Sequence, residues 1–445
     1  MGISSELSTP EMDAVFSDRN EISQWIAFEV ALANAEAEVG LIPKPAARSI
    51  SEHGSVDLFD LEQLRRDIAF AVHPVMPFVR MFSNIVGEPH GEYVHWGATT
   101  QDVIDTGLML RVQQGDRLIA EDLDRLIEAI SSHARRHRDT PMAGRTNAQH
   151  AVPITFGYKL AVWVDELQRH RESLQHLRAH TLVGQFGGAT GTLASIGPIG
   201  LRVRELMMQE LGLGVPRITW HVARDRLAQH AFLLALITSS LGRLGAEIIE
   251  LQRDEIGEAF EPFHDGKVGS STMPHKRNPS LSQSLVTLAE LVKSEIQTSL
   301  TTLNVRHERD KALCNNIETS YVPRVWSLTH RAIRLATTVV TGMEVSVQSM
   351  QRNIELSRGQ LFSERALIAL AERVGRQTSH ELIYGAAMRA FESGQHLREA
   401  LATETMISDL LAPEEIEALF DLRGITEVAG IFVDEVCGQD RSAHT

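Results

Sequence analysis

Ile154-Thr155-Phe156-Gly157-Tyr158-Lys159-Leu160-Ala161-Val162-Trp163-Val164-Asp165-Glu166-Leu167 opens a helical stretch that runs to about His180. Leu160, Val162, Val164 and Leu167 give it an apolar face that only long neighbours can cover. Comparable stretches run from residue 103 to about 138, and over 223–261, 281–307 and 321–345. Each spans roughly 25 residues or more, against a globular mean of about 11 to 12. Helices of that length bury one another's faces in a bundle, so the expected fold is all-α with a central long-helix bundle.

The flanks read differently. Thr9-Pro10-Glu11 has the form of a cap with proline at the first helical position, and Asp18-Arg19-Asn20-Glu21 that of a capping box. Ile22, Trp25, Ile26, Val30, Ala33 and Ala37 then recur at helical spacing up to Gly40, a C-terminal stop. His73-Pro74-Val75-Met76-Pro77 is a break, because two prolines do not sit inside one regular helix. From Asn353 onward short amphipathic helices alternate with Gly359, Gly375 and Gly394. The expected organisation is a helical domain over residues 1–102, the bundle over 103–350 and a second helical domain over 351–445.

Composition narrows the function. In 445 residues, 43% hydrophobic and only 5% aromatic, Ala, Leu, Glu and Arg are plentiful, which favours helices in a soluble globular protein. The net charge of -15, from 43 basic and 58 acidic side chains, repels nucleic acid and anionic membranes, although a local basic pocket can still hold an anion. Cys314 and Cys437 make no disulfide framework and fit a reducing, cytoplasmic setting. The N-terminus lacks the basic and apolar regions of a signal peptide, and no uninterrupted apolar run approaches the length of a membrane span.

Polar clusters interrupt the helices. Val94-His95-Trp96-Gly97-Ala98-Thr99-Thr100-Gln101-Asp102 precedes the first long helix, where Thr99 or Thr100 can cap and the free N–H groups can hold an anion. Gly144-Arg145-Thr146-Asn147-Ala148-Gln149-His150-Ala151-Val152-Pro153 reads equally as a pocket lining or a structural turn. Gln185-Phe186-Gly187-Gly188-Ala189-Thr190-Gly191-Thr192 can cradle a carboxylate with backbone amides. Gly266-Lys267-Val268-Gly269-Ser270-Ser271-Thr272-Met273-Pro274-His275-Lys276-Arg277-Asn278-Pro279 joins hydroxyls to cations, which favour a serine oxyanion and bind a carboxylate. The histidines are scattered, with neither HExxH nor Cys/His ligand spacing, so no metal is expected.

The last cluster is close to the signature of the fumarase/aspartase superfamily, and the chain resembles that superfamily along nearly its whole length. Trp220-His221-Val222-Ala223-Arg224-Asp225-Arg226 is similar to a segment of its adenylosuccinate lyase and 3-carboxy-cis,cis-muconate cycloisomerase branch, and the clusters look most like the cycloisomerase side. The resemblance implies a three-domain helical fold, a homotetramer whose active sites gather loops from three subunits, no cofactor, and a small anionic dicarboxylate or tricarboxylate substrate. It implies that Ser270 is the base that removes a proton beside a carboxylate. Lys276 and Asn278 match residues that hold that carboxylate and stabilise its aci-form. Thr99, Thr100 and Gln149 match substrate contacts, and His95 and His73 match pocket histidines.

There are departures from the pattern. Asn147 stands where many members carry a histidine that serves or supports the general acid, and an amide donates no proton at useful pKa. Either His150 or His95 takes over, with Asn147 left as a substrate contact, or the leaving group departs as a weak base such as a carboxylate or nitrite. In His307-Glu308-Arg309-Asp310-Lys311-Ala312-Leu313-Cys314-Asn315-Asn316-Ile317-Glu318-Thr319, adenylosuccinate lyases carry serines and an arginine for a nucleotide phosphate. This chain offers asparagines there, with Arg309 as a candidate substrate cation. The expectation is therefore a β-eliminating lyase or cycloisomerase for a small polycarboxylate. The alternatives are an amine-eliminating, fumarate-releasing enzyme such as adenylosuccinate lyase, or a non-catalytic scaffold on the same fold.

Overall fold

The computed structural model describes residues 7–264, 270, 272–273, 275–310 and 315–438. Residues 265–269, 271, 274 and 311–314, which include parts of the last cluster and of the Arg309 segment, lie outside the described residues. Short helices lead in: α1 (Pro10–Val15), α2 (Asp18–Glu38), α3 (Lys44–Glu52), α4 (Leu61–Ala71) and α5 (Val75–Val86). The long elements follow as α6 (Thr100–Arg136), α7 (Phe156–Thr181), α9 (Asp225–Leu251), α10 (Ser280–Thr301) and α11 (Asn315–Thr341), with α8 (Ile199–Leu211) between α7 and α9. A hairpin of β1 (Pro141–Thr146) and β2 (Gln149–Thr155) joins α6 to α7, and α12 (Val347–Glu355), α13 (Ser363–Val374) and α14 (Arg376–Ser393) follow α11. The all-α expectation holds, with this hairpin and one two-residue pair, Ala259–Phe260 against Glu344–Val345, as its only strands among the described residues.

The local chemistry explains the boundaries. Thr9 caps α1 by accepting from Met12 N–H, with proline in the first turn. The cap of α2 is Ser17, which accepts from Asn20 N–H; a residue earlier than the expected Asp18, it leaves Asp18 inside the first turn against the positive end of the helix dipole. Gly40 follows α2 with φ +79°, where its missing side chain avoids strain. The break at Pro74 separates α4 from α5, and Pro77 fits the first turn of α5, where its missing N–H is no loss.

Contacts divide the chain into two compact units, Met1–Asp124 with Arg169–Leu241 and Thr287–Arg334, and Arg125–Gln168 with Gly242–Val286 and Leu335–Thr445. This division passes through the long helices rather than at residues 102 and 350. In the first unit Phe59, Phe78 and Phe82 stack near Trp25 under α2, and Trp326 donates to Asp116 at 2.8 Å. In the second, Leu370, Ile383, Leu397, Leu401 and Ile407 form a separate apolar core. α9, 27 residues long, is apolar enough to cross a membrane by composition, yet 61% of its most apolar window is buried inside the protein. A helix apolar on most sides belongs in a bundle interior.

Candidate active site

In the first unit, the turn before α6 is built on a carboxylate. Asp102 is buried, and its Oδ2 accepts from Thr99 N–H at 3.1 Å and Gly188 N–H at 2.9 Å. Its Oδ1 accepts from Gly187 N–H at 3.0 Å and lies 2.9 Å from His221 Nε2. The anion expected at the N-terminus of α6 is therefore the chain's own Asp102, where the helix dipole favours it. The Gly-rich loop does cradle a carboxylate with its amides, but that carboxylate is internal, so the amides of Gly187 and Gly188 are committed. The sequence could not distinguish an internal anion from a ligand.

Around this turn the candidate residues pair. Thr99 Oγ1 accepts from Arg309 Nη1 at 2.8 Å. His73 Nδ1 accepts from Met76 N–H at 3.1 Å, which leaves the ring proton on Nε2, 3.4 Å from Thr100 Oγ1. His95, in the left-handed region at φ +64°, places Nδ1 2.7 Å from Glu29 Oε1. Burial disfavours its cation, but the charge and hydrogen bond of Glu29, with the charge of Asp102, outweigh this and raise its pKa above the ordinary value. The first unit thus brings His73, His95, Thr99, Thr100 and Arg309 to one end of α6.

Beneath them lies a buried charge network centred on Arg224, whose segment stood out in the sequence only by its resemblance. Arg224 is buried, stacked 4.8 Å over the Trp220 ring, and pairs with both oxygens of Asp105 at 2.9 Å and with Glu318. Gln185 donates to Asp105 at 2.9 Å and accepts from Trp220 N–H at 2.9 Å. Gln101 joins Asp105 to Asn315, each at 2.7 Å. Glu318, pushed up to about 7 mainly by burial, shares the single Arg224 cation with Asp105. The Trp220–Arg226 segment therefore ties the starts of α6 and α11 together rather than facing solvent. A charged residue on an otherwise apolar helix face was the available signal.

The second unit holds the remaining candidates. Gly144–Pro153 is the β1–β2 hairpin, not the plain turn before a helix that one reading gave it. Thr146 pairs with Gln149, so Asn147 and Ala148 form the connection, with φ +51° and +62°. Both central residues at positive φ is the type I′ geometry, and asparagine is favoured at its first position. Asn147 thus has a conformational reason for its identity. Arg145 anchors the hairpin through a two-pronged pair with the buried Glu258 at 2.8 Å, and Asn353 also donates to Glu258 at 2.8 Å. Gln149 and His150 are exposed and line a cleft of about 990 Å³ with Leu356, Arg358, Gln360 and Phe391. Burial first, then the charge of Arg145, lowers the His150 pKa, so its imidazole is neutral at neutral pH.

Ser270 Oγ, half-buried, accepts from Thr272 N–H at 3.3 Å and Met273 N–H at 3.0 Å. Two amide donors at a hydroxyl oxygen favour its deprotonated form, which suits a base. Lys276 is exposed and Asn278 half-buried on the same segment. Gln252 Nε2 donates to Arg277 C=O at 2.7 Å, and the Arg277 guanidinium lies 4.5 Å over the Phe263 ring. Glu261 then caps α10, accepting from Leu281 and Ser282 N–H at 3.2 and 2.8 Å.

Residues 5–293 match the family model described as lyase, and residues 359–436 match that of the adenylosuccinate lyase C-terminus. An N-acetyl-S-(2-succino)cysteine lyase of Enterococcus italicus is 37% identical over 96% of this chain and 94% of its own. A 3-carboxy-cis,cis-muconate cycloisomerase of Pseudomonas aeruginosa is 41% identical over 92% of this chain and 90% of its own. The crystal structure of a fumarate lyase from Mesorhizobium sp. BNC1 superposes with a TM-score of 0.91 at 36% identity, covering 99% of this chain and 100% of that one. The chain belongs to the fumarase/aspartase superfamily and has its three-domain helical architecture. It is an enzyme of the lyase and cycloisomerase kind, which sets aside the scaffold reading.

Proposed function

We propose that this enzyme makes or breaks a carbon–heteroatom bond beside a carboxylate of a small succinyl-type or carboxymuconate-like polycarboxylate. Ser270 Oγ takes the proton from the carbon next to the carboxylate. The electron pair left behind moves into that carboxylate as an aci-carboxylate, which Lys276 and Asn278 stabilise. Its collapse forms the carbon–carbon double bond and expels the leaving group from the neighbouring carbon, and the proton on Ser270 passes to solvent. The observation that carries the reading is the pair of amides that donate to Ser270 Oγ. Developing charge must meet donors already in place.

The leaving group is a weak base. Asn147 supplies no proton, and His150 is neutral at neutral pH. A carboxylate, expelled when a lactone opens, departs without help. A thiolate, expelled from a succinyl thioether, needs little, because an ordinary thiol has a pKa of about 8.5. Amine elimination with a nucleotide, as adenylosuccinate lyase performs, is the second reading, favoured by the match of residues 359–436. Phe232 and Leu236 on α9, with Leu300 at the end of α10 and Leu303 just after it, line an exposed apolar groove, which supports self-association; the working form in this reading is a cytoplasmic homotetramer.

An ultraviolet assay tests the reading with N-acetyl-S-(2-succino)cysteine, 3-carboxy-cis,cis-muconate and adenylosuccinate. Conjugated double bonds should appear or vanish with one of the first two. Turnover of adenylosuccinate alone would replace this reading with the second, and no change with any of them would overturn both.

A further inference from the structure

Glu29 and Glu36 lie on the buried face of α2, seven residues and so two turns apart. Both are buried, and an interior carboxyl is costly unless it is paired or neutral. Glu29 Oε1 meets His95 Nδ1, while Glu29 Oε2 and both oxygens of Glu36 have no hydrogen-bond partner among the described residues. Glu36 lies under the next turn of chain: a Cβ placed on Gly97 would stand 4.0 Å from Glu36 Oε1. Burial, then the charge of Glu29, pushes Glu36 up to about 9, so Glu36 is neutral at neutral pH. The charged groups that face His95 are thus Glu29 from α2 and Asp102 from α6, with the neutral Glu36 behind them.

His95 itself is held in place. A non-glycine residue at φ +64° is unfavourable by about 1 kcal/mol or more and persists where its surroundings over-determine it. Its side chain is 12% exposed, and Nε2 has no partner among the described residues. We propose that Glu29 is a positioning residue for His95, drawing Nδ1–H inward with its carboxylate so that Nε2 is presented to the substrate. This rests on the function proposed above, with His95 taken as a residue that meets the substrate. Nε2 of the imidazolium then carries a proton that can bond a substrate carboxylate, and Glu29 takes no part in the bond changes itself.

Histidine-selective NMR of the full-length protein tests this, with His95→Gln to identify the signal. In the wild type His95 should carry its proton on Nδ1 and titrate above 6.5. In Glu29→Gln its midpoint should fall by about one to three units, while Glu29→Asp, which keeps the charge, should restore much of it. The alkaline limb of kcat/KM, on whichever substrate the ultraviolet assay identifies, should fall with it, which a merely structural contact would not cause. An unchanged midpoint in Glu29→Gln, an unmoved limb, or a wild-type ring protonated only on Nε2 would overturn the proposal. The wild-type titration decides the pairing even if a variant fails to fold or no substrate is turned over; the latter result would count against the proposed reaction alone.

Discussion

Asp102 Oδ2 accepts a hydrogen bond from Gly188 N–H at 2.9 Å, across 86 residues of sequence. With the bonds to Thr99 and Gly187, this ties the Gly-rich loop to the start of α6, so one side chain orders both candidate substrate loops of the first unit.

Asp102→Asn should loosen both loops together. The amide cannot accept on its nitrogen, so at least one buried N–H loses its partner at a cost of about 1 to 3 kcal/mol. The expected result is a lower unfolding midpoint together with a raised KM. A normal KM in a destabilised variant would separate the loops from substrate binding.

Ser270→Ala should abolish turnover while fold and assembly remain, because the hydroxyl acts only in proton transfer. Lys276→Met should raise KM and lower kcat together, since its charge serves bound substrate and transition state alike. Steady-state kinetics with circular dichroism checks both. More than a few per cent of residual activity in Ser270→Ala would remove it as the base.

The long helices were legible because their apolar positions repeat without interruption: the stretch expected over 103 to about 138 is α6, Thr100–Arg136. The hairpin was not, since β1 and β2 are short and interrupted by Gly144 and Pro153, and Asn147-Ala148 lacks the glycine that usually marks such a turn. Asn147 read as a missing acid, when its positive φ is reason enough for the residue. Glu29 and Glu36 left a readable trace, as acids among Ile22, Trp25, Ile26 and Ala33 on one helix face. His95, the partner of Glu29 and 66 residues from it, lay beyond the reach of periodicity.

Glu36→Gln should change how stability depends on pH. Below 4.5 the acid is protonated in both the folded and unfolded chain. Between 4.5 and about 9 the unfolded chain ionises while the buried acid does not, so stability is lost progressively as pH rises through that window. Glutamine does not titrate. Urea unfolding should therefore show the variant gaining on the wild type from the acid to the alkaline end of this range. A constant difference would mean that Glu36 is ionised in the folded protein.

Assembly should depend on the groove of α9 and α10, where Phe232 is 57% and Leu300 52% exposed. Such a contiguous apolar surface calls for a partner. Sedimentation should show a tetramer for the wild type and smaller, inactive species for Phe232→Glu with Leu300→Glu. A stable, active wild-type monomer at micromolar concentration would sink the shared-site arrangement.

The leaving group is decided at Asn147, His150 and His95. An amine departs only with a proton, and the loss of its donor should lower kcat roughly 100-fold to 10,000-fold. His150, with its pKa lowered by burial and Arg145, is a poor donor, whereas Glu29 raises the pKa of His95 against its burial and favours the protonated ring. Were the leaving group an amine, His95→Ala would therefore carry the loss and His150→Ala would not. For a carboxylate or thiolate, which leaves as a stable anion, both variants should act mainly on KM. Asn147→His should then bring no rate gain, and its side chain should fit the left-handed turn less well than asparagine, lowering the unfolding midpoint. The measurement is kcat and KM of the three variants on the substrate that the ultraviolet assay identifies. A gain from Asn147→His, or a large kcat loss in His95→Ala, would restore amine elimination as the chemistry of this site.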